Sequence, residues 1–343
     1  MRKLLLLLIF TNLITACGNN KGAANDDQFI TLYTHRHYDT DQKIFDQFAE
    51  QTGIAVKVVN ASSDELIQKM VSEGKQSPAD LLITVDAGRL VRAKTKNLLQ
   101  PVQSQKLEQI VPEYLRDADN NWFALTKRAR VMVYDKNTVN PATLSTYEDL
   151  AKEQWKGRIL IRSSGNIYNQ SLLASIIANN GAEQAETWAK GMVENFARPP
   201  RGNDRDQVKA IAAQDGEVAI INTYYLGRML NSENPTEKKA GESVSVFFPN
   251  QADRGTHINI SGIGLARNAP HPKEAIQFME YLVSKEVQEI FANSNYEYPV
   301  NVEAKTSELL QSWGDFKEDK LTLSKLGELN KAAVIIFDKV GWK

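Results

Sequence analysis
Apolar and polar positions change period repeatedly along the first third of the chain. Residues 29–33 (FITLY) make an apolar run of strand length that stops at the polar stretch 34–41 (THRHYDTD). Ile44, Phe45, Phe48 and Ala49 then fall on one helical face, and Thr52-Gly53 closes that helix. A second strand follows at 54–59 (IAVKVV), a second helix at 62–70 with acidic residues in its first turn, and a third strand at 80–85 (DLLITV). Asp86-Ala87-Gly88-Arg89 is placed to open another helix. Strand and helix alternating at this spacing predict βαβ units and a parallel sheet.

The pattern continues with longer gaps. Residues 129–134 (ARVMVY) read as a strand leaving a first lobe, and 157–161 as a further strand. Ser163-Ser164-Gly165-Asn166 then leads into a long helix from about residue 169. Helices near 183–194 and 206–214 precede a strand at 217–221, and 244–248 (VSVFF) ends at Pro249. Residues 258–266 (INISGIGLA) read as a strand broken by two glycines, returning towards the first lobe, and 270–283 as a helix. No internal repeat and no clean linker is visible, which suits two lobes joined by crossing strands. The expected architecture is α/β, two-lobed, each lobe a mixed, mostly parallel sheet flanked by helices, with a ligand cleft between them. The first lobe takes 28–128 plus 255–305, and the second takes 129–254 plus 306–343.

The start of the chain bears on compartment. MRKLLLLLIF is a short basic start followed by an apolar run, as in a secretory signal, and 1–16 is read as that signal. The run is too short for a bilayer, which needs roughly 20 apolar residues. Ile14-Thr15-Ala16-Cys17 resembles the bacterial lipobox, which implies cleavage before Cys17 and lipidation of that residue. An ordinary signal with an incidental cysteine is the plain alternative. Residues 17–27, small and polar, read as a flexible tether. The anchored chain would then sit on the outer leaflet of the inner membrane, or on the cell surface of a single-membrane cell.

Charge and composition remove several function classes. The net charge is −1 over 343 residues, and losing Arg2 and Lys3 with the signal would take it to −3. With no basic block, nucleic acid is not an expected partner. The single cysteine, Cys17, leaves no intrachain disulfide, so a core must supply stability. The chain is expected to be a monomer. Gly-x-Ser-x-Gly, His-Glu-x-x-His and phosphate-cradling glycine loops are all missing, so the chain is not expected to be an enzyme. A serine working with His257 or His271 has no positive support.

Candidate chemistry gathers where strands end, the usual place for ligand sites in α/β sheets. Tyr224-Tyr225 follows the strand ending at Ile221, Tyr168 follows the strand ending at Ile161, and His37-Tyr38 follows the first strand. Phenolate is a hard oxygen donor, and a hard ferric ion prefers such donors in octahedral geometry. A phenol ionises near pH 10 when free, yet a bound high-valent cation can strip its proton at neutral pH. Four phenolates and one imidazole would fill five positions, and water or a small anion the sixth. Arg128 and Arg130, at a crossing between lobes, would offset the surplus negative charge. Each residue alone has a plainer reading. The tyrosine pair and Tyr168 could be packing aromatics, His37 a capping residue, and at least one of the alternating arginines is expected to be solvated. Tyr33 and Tyr134 read as core, Tyr296 and Tyr298 are assigned no role, and Asp80 and Asp86 suit helix caps as well as a cation.

The segments HRHYDTDQKIFDQF, IRSSGNIYNQSLLASII, PPRGNDRDQVKAIAAQDGEVAIINTYYLGRM and SGIGLARNAPHPKEAIQFMEYL resemble the periplasmic iron-binding proteins of bacterial ABC importers. The resemblance runs from about residue 29 to the C-terminus. It implies a type II-like periplasmic-binding-protein fold closing on one iron ion, ferric iron in the first place and ferrous iron as the alternative. Carried over by motif, it implies Tyr38, Tyr168, Tyr224 and Tyr225 as ligands, with His37 beside them as in a tyrosine-rich branch. It further implies a synergistic anion such as carbonate, or water, and arginines that bind the anion or back the ligands, Arg128 first among the candidates and Arg130 and Arg201 after it. Its partners would be an inner-membrane permease and its ATPase. The same fold with another cargo, a polyamine, a thiamine-like cation or an oxyanion, is the competing expectation.

Overall fold
Ten strands occur in the computed structural model, which describes residues 28–36 and 38–343. They are β1 (Phe29–Thr34), β2 (Ala55–Asn60), β3 (Leu81–Val85), β4 (Leu99–Gln100), β5 (Phe123–Asp135), β6 (Ile159–Leu160), β7 (Val218–Asn222), β8 (Val244–Phe247), β9 (Ile258–Ala266) and β10 (Tyr298–Pro299). The main path runs β2-β1-β3-β9-β5-β7-β6, with β4 on β9 and both β8 and β10 on β5. β1 pairs in parallel with β2 and β3, and β6 with β7, each through an intervening helix as the alternating pattern predicts. β9 and β5 join antiparallel, so the sheets are mixed.

The two lobes meet along β5, which serves both sheets. Residues 123–129 pair with β9, and from Arg130 onward the same strand pairs with β7 and β8. It begins six residues earlier than the run 129–134 suggests. Thr126, Lys127 and Arg128 interrupt the apolar pattern there, yet all lie in the ladder.

β9 is continuous rather than broken at its glycines. A Cβ on Gly262 would come within 2.5 Å of Leu90 Cδ1, and one on Gly264 within 2.9 Å of the Asn121 carbonyl. Close approach of neighbours, and not a bend, requires glycine at both positions. The helix expected from residue 169 begins at Ile167, and the strand expected over 157–161 shortens to Ile159–Leu160.

Burial follows period and sheet layer. Every residue of β3, β7 and β9 is buried, as expected of strands covered on both faces. One large apolar cluster unites β1, β3 and β9 with the helices Asp39–Thr52 and Ile167–Asn180, and a smaller one lies under β7 and the helix Asp204–Ala212. The C-terminal helix Asn330–Val340 packs on Ile167–Asn180, and the helix Ser324–Glu328 lies against both that helix and Ala87–Thr95. No helix among the described residues is long and apolar enough to cross a membrane. The signal segment and Cys17 lie outside the described residues.

Candidate ion-binding site in the interlobe cleft
Parallel strands bring the polar strand ends to one place. The carboxyl ends of β1 and β3 face those of β6 and β7, and a cavity of about 130 Å³ lies between them. His35, Arg36, Tyr38, Val85, Tyr168, Arg205, Tyr224, Tyr225 and Arg228 line it. Larger hollows lie on the surface around Met70 and Arg267 (about 390 Å³) and around Tyr114 and Phe316 (about 570 Å³), but neither converges on such a set of oxygens.

Each of the four tyrosines stands at the start of a helix. Tyr38 is the N-cap residue of Asp39–Thr52. Tyr168 lies in the first turn of Ile167–Asn180, its N–H donating to the Asn166 side chain at 3.0 Å. Tyr224 and Tyr225 lie in the first turn of Thr223–Leu230, after the buried strand β7. Three helix N-termini therefore point their partial positive ends at one small volume, a setting that favours anionic oxygen.

The phenols are close to one another, and burial favours the neutral form of Tyr38, Tyr168 and Tyr224. The Tyr168 and Tyr224 hydroxyls lie 3.4 Å apart, and the Tyr224 and Tyr225 rings stack at 4.2 Å. Burial, then the neighbouring Tyr225, pushes the Tyr168 phenol up to about 12. Burial also raises Tyr224 well above its ordinary value, with Tyr168, Tyr225 and Tyr38 adding to it. Tyr38 is raised by burial and by Glu297.

Arginines surround these rings. The Arg36 and Arg228 guanidinium carbons each lie 4.9 Å from the Tyr38 ring centre. Those of Arg128, Arg130 and Arg162 lie 5.5–5.8 Å from Tyr168, and that of Arg205 lies 5.9 Å from Tyr225.

Arg128 and Arg130 are both buried, contrary to the expectation that one would be solvated. Residues two apart on a strand share a face, so both arginines turn to the same buried side of β5. Arg128 donates to Ser261 Oγ at 3.0 Å, to Glu297 Oε1 at 3.4 Å and to the Ile260 carbonyl. Arg130 donates to Asp204 (3.1 Å), Asn222 (3.1 Å) and Asn169 (2.7 Å). Arg36 is fixed on Asp41 and Glu297 at 3.0 Å each. Such pairing is what allows a guanidinium to remain charged in the interior.

Among the described residues, no three His, Cys, Asp or Glu side chains gather as a metal cluster. The oxygen donors that do converge are phenolic. The family model for bacterial extracellular solute-binding proteins matches residues 43–318. The chain belongs to that family. Among curated relatives of this solute-binding protein, iron uptake protein A1 of Synechocystis sp. is 46% identical over 342 residues, covering 98% of this chain and 95% of that one. A Trichodesmium structure in complex with iron and citrate ligands superposes with a TM-score of 0.90 at 51% identity, covering 92% of this chain and 100% of that one. The ferric binding protein of Campylobacter jejuni gives 0.87 at 45% identity, with 92% and 100% covered. The expected two-lobed fold is thus the fold of this family.

The solute-binding protein gathers most, but not all, of the residues singled out from sequence. Tyr38, Tyr168, Tyr224 and Tyr225 share the cavity, and Arg128 and Arg130 stand behind Tyr168. Arg201 is exposed and lines a different surface hollow with Arg198, Asp206 and Lys209. His37 lies outside the described residues. Sequence reasoning missed His35, Arg36, Arg205 and Arg228. Arg228 was within reach of it, because residues three and four apart on a helix share a face with Tyr225 and Tyr224. Arg205 lies four residues beyond Arg201 in the same quoted segment, in the first turn of the helix Asp204–Ala212.

Proposed function
We propose that the chain is the capture component of a bacterial iron importer, holding one ferric ion on the phenolate oxygens of Tyr38, Tyr168, Tyr224 and Tyr225. The observation that carries this reading is the convergence of those four phenols at helix N-termini in one small cleft. Ferric ion is hard enough to displace the phenol protons, and phenolate repays it with charge as well as an oxygen lone pair. Four phenolates leave the cluster with net negative charge, which Arg36, Arg205 and Arg228 on the cavity wall offset. His37 supplies a fifth donor, and water or a small anion such as carbonate completes the shell. Ferrous ion is the less favoured cargo, since its lower charge is a weaker competitor for phenol protons.

Cleft size and charge weigh against the organic cations among the competing cargoes. A cavity of about 130 Å³ is well below the roughly 300 Å³ at which organic-ligand pockets begin. Among the described lining residues none is acidic, whereas a polyamine or thiamine-like cation calls for a carboxylate. We further read the chain as a binding protein rather than an enzyme, lipid-anchored at Cys17 and handing iron to an inner-membrane permease driven by its ATPase. Closure would bring Tyr38 on the first lobe onto the three tyrosines of the second.

Equilibrium dialysis of the metal-free chain against ferric citrate, spermidine and phosphate tests this. One iron per chain is expected, with a loss of at least a hundredfold in affinity for Tyr224→Phe/Tyr225→Phe. Retention of phosphate or spermidine without iron would replace the reading with an oxyanion or polyamine carrier.

A further inference from the structure
Behind the tyrosines lies a buried tie between the lobes that the binding chemistry does not use. Asp86 follows β3 directly, one residue beyond the cavity-lining Val85, and is fully buried. Ser171, also fully buried, is three residues beyond Tyr168 on the helix Ile167–Asn180 of the other lobe, and so on nearly the same helical face. Its hydroxyl lies 2.9 and 2.8 Å from the two Asp86 carboxylate oxygens.

The remaining Asp86 partners come from the first lobe and its return strand. The Gly88 N–H donates at 2.9 Å and the Asn259 amide at 2.8 Å. Asn259 Oδ1 in turn accepts from the N–H groups of Ala87 (2.9 Å) and Ile260 (2.8 Å). Asp86 itself has φ 83 and ψ 122, a backbone conformation that L residues rarely adopt. A helix cap alone needs no such conformation, for Asn166 and Ser62 cap their helices with φ below zero. The strained backbone aims a prepared carboxylate across the cleft, and strain of this kind collects at clamps and switches.

We propose that Asp86 and Ser171 form the closure latch of the cleft and are positioning residues for the Tyr168 phenol. The first lobe presents a carboxylate already oriented by Gly88 and Asn259. The second lobe brings the hydroxyl that completes it, and that bond forms only when Tyr168 has been carried up to the cavity. Opening withdraws Ser171 and Tyr168 together, so the latch biases the equilibrium between open and closed forms without touching the ion. The inference uses the ferric reading of the cleft only for its probe.

Iron release from the full chain to excess chelator is followed by the loss of phenolate-to-iron colour, beside small-angle scattering and a thermal midpoint. Ser171→Ala is expected to release iron about tenfold faster and to give a larger radius of gyration for the loaded protein. Asp86→Asn, which keeps the shape of the side chain, is expected to shift both quantities in the same direction. Folded Ser171→Ala protein releasing at the wild-type rate overturns the latch. Should that variant not fold, Asp86→Asn decides by the same criterion. Wild-type chain that takes up no ferric ion overturns the iron reading instead, and scattering of the metal-free variants still shows whether the lobes part more easily.

Discussion

Tyr168 and Tyr224 meet hydroxyl to hydroxyl in a pocket where burial already disfavours the charged form of each. Both phenols are therefore protonated at neutral pH in the metal-free protein, and a cation that binds them must release their protons. We expect about one proton per phenolate, so about four per ferric ion, with affinity falling as pH falls. A pH-stat titration with ferric nitrilotriacetate checks this, and uptake with no proton release would exclude the phenols as donors. The residue types were legible in sequence because a phenol at a strand end is an uncommon choice. The arginines were less so. Only tertiary pairing decides whether a guanidinium on a strand is buried, and Arg128 is buried because Glu297, distant in sequence, meets it.

At the scale of elements, the site is a set of helix starts. Asn166 accepts the Tyr168 N–H and holds the first turn in place. Asn166→Ala is expected to cost about 1 kcal/mol of stability, as for other N-cap losses, and to weaken iron binding through Tyr168. Paired urea unfolding and iron competition would show both effects. Gly227, one turn beyond Tyr224, packs against Tyr296, and a Cβ there would lie 2.5 Å from Tyr296 Cβ. Gly227→Ala is accordingly expected to destabilise by roughly 1–3 kcal/mol, as overpacking does, and to shift the Tyr224-Tyr225 turn. A shift would appear as a change in the charge-transfer spectrum. Periodicity located the helices Asp39–Thr52 and Ile167–Asn180 to within a few residues but did not mark Thr223–Leu230. It could not reveal that their first turns converge, because convergence depends on which strands run parallel.

The whole molecule is organised by β5, which serves both sheets, and by β9 paired beside it, and the two strands carry polar groups behind the site. Apolar pattern disclosed the second half of β5 and missed the first, where Lys127 and Arg128 look like a break yet sit in the ladder. Where the two strands approach, His257 is buried with Nε2 unpaired among the described residues. Burial, then Arg130, Arg254 and Arg128, pushes its imidazole down to about 3 from 6.5. The unfolded chain takes up a proton near pH 6.5 that the fold refuses, so this contribution is present above 6.5 and is lost as pH falls towards 3. Stability should drop by up to about 1.4 kcal/mol per pH unit in that window from this group alone. His257→Gln should flatten that limb in urea unfolding between pH 6.5 and 4, and an unchanged slope would place the acid sensitivity elsewhere.

The central claim is that phenolates from both lobes hold ferric ion, and the visible spectrum reads it most directly. Ferric citrate added to the metal-free protein should give a broad phenolate-to-iron band. That band should weaken in each single Phe variant of Tyr38, Tyr168, Tyr224 and Tyr225, and vanish when Tyr224 and Tyr225 are changed together. A colourless iron-loaded protein, or a band indifferent to all four changes, would contradict it.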